Sequence, residues 1–456
     1  MNERRRSLLG VALLGAVEPL LAAPPSSSGA PLLSACARAL LDAELAAVAQ
    51  DPAMQLASLS VVAMRGGRPV YEQAFGRRYI GSGAGALPDR LATPATLYRI
   101  ASISKMMTTL GLMRLVEEGK ADLEADVSGY LGYPVRNPHF PQRRITLRSL
   151  LTHTSSLRDD AGYSWQLPVA LKDVLVPGGA LYGEGKMWSA HAGPGDWFTY
   201  CNLAWGVIGT VMERIAGERF DRLMERLLFR PLGIQAGYSP AGLAPAALDN
   251  LATLYRKRTV DTEVWNAAGP WIAQVDDYSA KPAVLPLGTA DALPGSNATP
   301  FSPTGGLRIS APAMGVVMRM LMDGGVHGGT RLFRRATLER MFARQWTFNA
   351  KDRNGDTLGG LYQAWGLGNA HFPDQPGMTL VEGGGFEGVG HLGEAYGLRS
   401  VFAADLARGD GMIVLTGGSS ADPESQAGRY SAMARFEERI LTALHRHAIA
   451  GQRAAS

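Results

Sequence analysis

Strand-type and helix-type segments are distributed unevenly along this 456-residue chain, and the distribution constrains its fold. Ser58–Met64 and Pro69–Ala74 alternate as strands and are joined by a turn at Arg65-Gly66-Gly67-Arg68. Further strand patterns recur only near the other end, at Ala364–Leu367, Met378–Val381, Gly388–Leu392, Leu398–Ala404 and Met412–Leu415. Helical periodicity fills the interval: 102–118 (stopped by Gly119), 146–152, 203–216, 220–229, 311–322 and 335–345. Helical patterns also flank the strands, from about Leu32 to Gln50 and in a closing segment carrying Met433, Phe436, Ile440 and Leu444. A sheet that buries both strand sets must be assembled from the two termini. The pattern therefore predicts an α/β lobe from 31–98 plus 355–456, with an all-helical lobe, 99–354, inserted. Within that insertion 236–306 is rich in Ala, Gly and Pro with Trp265, Trp271 and Tyr278 interspersed, and reads as long ordered loops that shape a pocket. Arg158–Gly193, with Tyr163, Trp165, Trp188 and His191, is expected to line part of it.

Composition narrows the partners. A hydrophobic fraction of 46% is that of a globular chain, and a net charge of +4 from scattered arginines argues against nucleic acid. Two cysteines, Cys36 and Cys201, exclude a disulfide framework, and neither has metal-ligand spacing. Arg4-Arg5-Arg6-Ser7-Leu8-Leu9 precedes an apolar run ending near Val17, too short to span a bilayer. This matches a twin-arginine export signal over 1–30, with small residues at Ala22 and Ala23 for cleavage, and implies an exported, periplasmic protein. Leu33-Ser34-Ala35-Cys36 has the look of an acylation box, but helical spacing places Cys36 on a helix. No other segment is long and apolar enough to cross a membrane.

Three short motifs carry chemistry. Ser102 and Lys105 stand three apart on a helix, so hydroxyl and amine share a face. A serine hydroxyl needs an adjacent base, and a lysine serves when burial lowers its pKa. The first helical turn adds free N–H groups that stabilise developing negative charge. The second motif is Tyr200-Cys201-Asn202, where a tyrosine beside a lysine can act as general base and then acid, and an amide can hold lysine and substrate. The third is Gly390-His391-Leu392-Gly393 after Gly383-Gly384-Gly385, glycines that mark close approach of a backbone or ligand. There His391, partly charged near neutrality, can bind an anionic group or assist proton transfer. Taken singly, each motif is also a common structural arrangement.

Together and in this order they resemble the serine β-lactamase and penicillin-binding-protein superfamily, closest to its class C β-lactamase-like branch of D-Ala-D-Ala carboxypeptidases, D-aminopeptidases and family VIII esterases. The phrases Leu97–Ser102, Ile145–Leu157, Tyr200–Gly206, Pro231-Leu232-Gly233 and Gly305-Gly306-Leu307 extend the likeness over roughly 35–445. It implies a β-lactamase-like fold, an antiparallel sheet flanked by helices with an inserted helical lobe. It also implies that Ser102 is the acylated nucleophile, Lys105 its proton partner, Tyr200 the general base and acid, and Asn202 a substrate-positioning amide. The oxyanion hole would be the N–H groups of Ser102 and Glu394, the residue after Gly393. The likeness calls for no cofactor and no metal.

Two departures shape the expected substrate. His391 stands where β-lactamases usually present a permanently charged lysine, which favours an ester or peptide over a lactam. Glu394 is bulkier and more acidic than usual; it either selects among charged acyl groups or points away. His153 in Leu151-Thr152-His153-Thr154 is read as part of a structural loop. No Gly-x-Ser-x-Gly or His-Glu-x-x-His pattern occurs. The expected activity is small-molecule ester hydrolysis through an acyl-enzyme, then peptidase, then β-lactamase. A penicillin-binding sensor without turnover is the non-enzymatic alternative. Oligomeric state is not encoded legibly.

Overall fold

The computed structural model describes residues 33–81 and 87–450, so the export-signal expectation and most of the Gly81–Gly85 loop lie outside the described residues. The sheet grows from Ser58–Arg65, which pairs antiparallel with Arg68–Tyr79 through a two-residue turn. Gly66 and Gly67 both take positive φ there (56° and 75°), as a tight hairpin following the strand twist requires. On its other side Ser58–Arg65 pairs with Asp410–Thr416, Val61 facing Val414. Leu398–Asp405, Gly388–Ala395 and Ala370–Phe372 then follow outward, all antiparallel. The first strand pair and the last strands of the chain thus form one nine-stranded sheet, as the uneven strand pattern predicts.

Alternation along these strands divides the interior. All eight residues of Ser58–Arg65 are buried, so both faces of the sheet are covered. Val62, Met64, Phe402, Ile413 and Leu415 join one core with the helices Ile103–Glu117, Leu203–Ala216 and Ala311–Met322. Leu59, Val61, Ala63, Val401, Met412 and Val414 join the other, with Ala35–Ala49 and Arg435–Leu444. Each fully buried Leu, Val or Ile contributes about 1.5–3 kcal/mol, so a one-residue register slip would exchange the two cores and is strongly disfavoured.

The structure departs from the sequence expectation in two places. Met378–Val381 is not a strand: Pro373, Pro376 and Gly377 (φ 82°) force a turn, and Leu380 and Val381 enter the core from it. The sheet continues through Ala370–Phe372 instead. Within 236–306 the chain is more regular than its composition suggests. Leu254–Lys257 pairs with Trp271–Val275, and Ala236–Gly237 and Leu97–Arg99 flank Arg308–Ser310. This last pairing matters for function, because Leu97–Arg99 leads directly into Ser102.

Candidate active site

The site begins where the strand Leu97–Arg99 turns into a helix. Ala101 sits at φ 46°, a conformation that is unfavourable for a residue with a side chain and is held here by the surrounding structure. Beyond it the N–H groups of Ile103, Ser104 and Lys105 bond the carbonyls of Ile100, Ala101 and Ser102. Ser102 is therefore presented at the start of Ile103–Glu117, and Lys105 follows one turn later on the same face.

Lys105 is wholly buried, yet no carboxylate lies within ion-pair distance of it among the described residues. Its Nζ meets three oxygens: Ser102 Oγ at 3.0 Å, Asn202 Oδ1 at 2.7 Å and the Thr304 carbonyl at 3.2 Å. Burial penalises the ammonium and lowers its pKa to about 7, with Asp159 opposing the shift. As a neutral amine Lys105 has a lone pair to accept the Ser102 proton.

Asn202 immediately precedes Leu203–Ala216, and Asp159 fixes both. One Asp159 oxygen accepts from the Asn202 N–H and from Nδ2 of the same residue, each at 2.8 Å; the other accepts from the Leu203 N–H at 2.9 Å. A carboxylate at a helix N-terminus satisfies donors that lack intrahelical partners. Thr304 Oγ1 also donates to Asn202 Oδ1 at 2.7 Å, so the amide has one orientation, oxygen toward Lys105. Asp159 and Thr304 were absent from the sequence-based candidates; Asp159 follows two residues after the Ile145–Leu157 phrase, and Thr304 directly precedes Gly305-Gly306-Leu307.

The Tyr200 ring lies 4.7 Å from Lys105 Nζ and stacks on Tyr362 at 5.4 Å. Desolvation and Tyr362 hold its phenol well above the ordinary value, opposed by contact with the Ser102 hydroxyl. His153, at φ 55°, packs its ring 4.5 Å from Tyr200, and its Nδ1 accepts the Cys201 N–H at 3.0 Å. It props the Tyr200–Asn202 turn from behind and does not line the cleft.

His391 is placed differently from the sequence expectation. It is fully buried, packed against Trp365 at 5.3 Å and with Tyr200 and Tyr362 at 6.3 and 6.2 Å. Desolvation, with Lys105 nearby, lowers its pKa to about 3. The imidazole is neutral at pH 7 rather than partly charged, and the cleft wall is formed by the following residues, Leu392 to Tyr396. Gly393 is required by space: a Cβ there would lie 2.4 Å from the Ile100 carbonyl oxygen and 2.2 Å from Ser400 Oγ. Glu394 turns its half-exposed carboxylate to Arg399 at 2.7 Å, so its charge is offset.

Ser102, Tyr200, Asn202, Gly393 and Glu394 line one cleft of about 770 Å³. From Arg158–Gly193, Tyr163 and Ser164 reach it, whereas Trp188 is buried in the core and His191 is exposed. Chemically this is a hydroxyl, an amine with a pKa near neutrality, a phenol and an oriented amide within one partly enclosed space. Among the described residues no group of His, Cys, Asp and Glu could hold a metal ion, and no helix is long and apolar enough to cross a membrane.

Known proteins resemble this chain in sequence and in fold. A sequence profile described as Beta-lactamase matches residues 45–434. Penicillin-binding protein 4* of Bacillus subtilis is 28% identical over 201 residues, 43% of this chain and 41% of that protein. The D-alanyl-D-alanine-carboxypeptidase/endopeptidase AmpH of Escherichia coli is 30% identical over 148 residues, 32% of this chain and 38% of that protein. The matched stretches thus span about two fifths of these relatives' own length. Among solved structures, EstCE1, a hydrolase with promiscuous acyltransferase activity, superposes with a TM-score of 0.60 at 20% identity, covering 90% of this chain and 100% of that one. The D-amino acid amidase from Ochrobactrum anthropi SV3 gives a TM-score of 0.61 at 16% identity, covering 91% and 99%.

Proposed function

The chain belongs to the beta-lactamase family, and on that premise we propose that it is a serine hydrolase that turns over carboxylic esters through an acyl-enzyme on Ser102. The observation that carries this reading is the 3.0 Å contact between Ser102 Oγ and a buried Lys105 whose pKa is lowered to about 7. In the acylation step neutral Lys105 accepts the hydroxyl proton as Oγ bonds to the carbonyl carbon. The N–H groups of Ser102 and Glu394 hold the resulting oxyanion, an arrangement typically worth a few kcal/mol. Collapse breaks the bond to the leaving group. That group takes the Tyr200 proton, and Tyr200 regains one from the Lys105 ammonium. Water then adds to the acyl carbon by the reverse relay, releasing the acid and restoring Ser102. The raised Tyr200 pKa suits a proton relay that rests as a phenol, so Lys105 rather than Tyr200 is the resting base.

Esters rank first, peptides or amides second and β-lactams third. The buried, neutral His391 supports this order, since it leaves without fixed charge the position where β-lactamases usually present a lysine. The similar proteins include a carboxypeptidase, an amidase and a hydrolase with acyltransferase activity, which supports acyl transfer in general. The Arg4-Arg5-Arg6 leader supports export to the periplasm.

Side-by-side rates on p-nitrophenyl esters, D-Ala-D-Ala peptides and nitrocefin test the ranking. Ester turnover is expected to exceed the other two; nitrocefin turnover far above the ester rate would overturn it. Trapping by a fluorescent penicillin without turnover of any of the three would instead mark a sensor.

A further inference from the structure

Arg99 is the cleft cation left without a carboxylate. Four charged side chains line the cleft: Arg99, Glu394, Arg399 and Glu437. Arg399 is neutralised by Glu394 at 2.7 Å. Glu437 is buried, accepts the Ala434 N–H at 2.9 Å and is influenced by Arg399 and Glu394, on their side of the cleft. Behind Arg99 lies a closed pair: Arg308 meets Asp276 at 2.7 Å, both buried. That carboxylate also takes a second Arg308 bond at 3.1 Å and one from the Tyr278 hydroxyl at 3.2 Å. The cluster of Arg99, Arg308 and Asp276 therefore keeps one net positive charge.

The guanidinium is held ready. Arg99 Nε donates to the Gly305 carbonyl at 3.0 Å, which fixes the plane of the fork, and its carbon lies 5.3 Å from the centre of the Tyr396 ring at the cleft wall. No other side-chain hydrogen bond of Arg99 occurs among the described residues, and the residue lines the cleft, so its two terminal nitrogens are left without a hydrogen-bond partner. Arg99 is three residues from Ser102, and Gly305 follows Thr304, whose carbonyl holds Lys105. A partly buried, pre-oriented and unpaired guanidinium is costly unless a ligand supplies the anion, and its fork matches a carboxylate.

We propose that Arg99 forms a carboxylate subsite, so that the preferred substrates are acyl compounds bearing a carboxylate that pairs with its guanidinium. This rests on the Ser102 acyl-enzyme reading for turnover, but not for binding. Charge-assisted bonds of this kind correspond to about 10- to 100-fold in affinity or kcat/KM.

Two matched ester pairs test it and place the anion. p-Nitrophenyl hemiglutarate against p-nitrophenyl pentanoate puts the charge on the acyl part. 3-Acetoxybenzoate against phenyl acetate puts it on the leaving group. The wild-type protein is expected to favour the anionic member of one pair at least tenfold in kcat/KM. Arg99→Gln should reduce that preference ratio 10- to 100-fold, and Arg99→Lys should give an intermediate ratio. A wild-type preference in neither pair, or a ratio unaltered in Arg99→Gln, overturns the proposal. Calorimetric titration of the wild-type protein with glutarate and with glutaramide decides the matter if Arg99→Gln does not fold or if no ester is turned over. Tighter binding of glutarate by tenfold or more supports the subsite, whereas equal or absent binding overturns it. Absent ester turnover with selective glutarate binding would refute the Ser102 reading alone.

Discussion

Lys105 Nζ stands 3.0 Å from Ser102 Oγ, in a fully buried position where no carboxylate among the described residues pairs with it. An ammonium in such a place is destabilised, and the folded pKa falls from 10.5 to about 7. Deprotonated lysine is the form that can take the serine proton. Acylation, read as kcat/KM for a neutral ester, should therefore rise tenfold per pH unit below about 7 and level off above it. A profile flat from pH 5 to 9 would contradict this assignment of the base.

The same shift bears on stability. Between pH 7 and 10.5 the unfolded chain carries the Lys105 proton and the folded chain does not, so this group's contribution rises with pH across that window. Replacing Lys105 by Met should lower ester turnover by at least about 10³-fold, in the range seen when a base is lost from a nucleophile–base unit. Its melting temperature near pH 7 should stay level or rise, because the cost of a buried charge disappears. Calorimetry at matched pH would show it; a large drop in Tm would mean that Lys105 is structural.

Asp159 makes two signed contributions. It orients Asn202 through bonds at 2.8 Å, and its charge raises the Lys105 pKa. Asp159→Asn should lower kcat for the ester by about 10- to 100-fold through loss of charge-assisted bonds. It should also move the inflection of the kcat/KM profile to lower pH. A variant with reduced rate and an unshifted inflection would restrict Asp159 to a structural role.

Gly393 tests the close packing beneath the nucleophile. A methyl group there would lie 2.4 Å from the Ile100 carbonyl oxygen, so Gly393→Ala must push the Gly388–Ala395 strand away from the Ile100–Ser102 segment. A misplacement of about 1 Å typically costs 10²-fold in rate, which kcat should report. Unchanged kcat would mean that this approach is not needed for the chemistry.

His391 gives an acid-lability prediction. Its pKa falls from 6.5 to about 3 on folding, so below pH 6.5 the unfolded chain gains a proton that the folded chain refuses. Its contribution to stability is present above pH 6.5 and is lost as pH falls toward 3, by on the order of 5 kcal/mol over the full window. His391→Leu should flatten the decline of Tm with acidity relative to wild type. Parallel curves would show that the imidazole titrates freely.

Much of this fold was legible because two terminal strand sets can share a sheet in few ways, and strict alternation at Val61, Val62 and Ala63 assigns each residue to a core. The pairing of Ser102 with Lys105 was legible because helix geometry alone brings residues three apart together. Asp159 and Thr304 were not, since each acts through a loop folded back from a distant part of the chain. Arg99 is close to Ser102 in sequence, but what leaves its charge uncompensated is the placement of Gly305 and of the Arg308–Asp276 pair far along the chain, and carboxylates, threonines and arginines are common at random. The His391 environment was hidden for a related reason: strand alternation assigns a face but not what covers it, and Trp365 and Tyr362 cover this one. Met378–Val381 misled because its apolar residues outweighed Pro373, Pro376 and Gly377, which set the turn.

The most direct measurement is intact-mass and peptide mapping after exposure to a fluorophosphonate. Stoichiometric addition of one phosphonyl group, mapped to Ser102 and abolished in Ser102→Ala, is the predicted result. No addition, or equal addition to the Ser102→Ala protein, would contradict the assignment of Ser102 as the nucleophile.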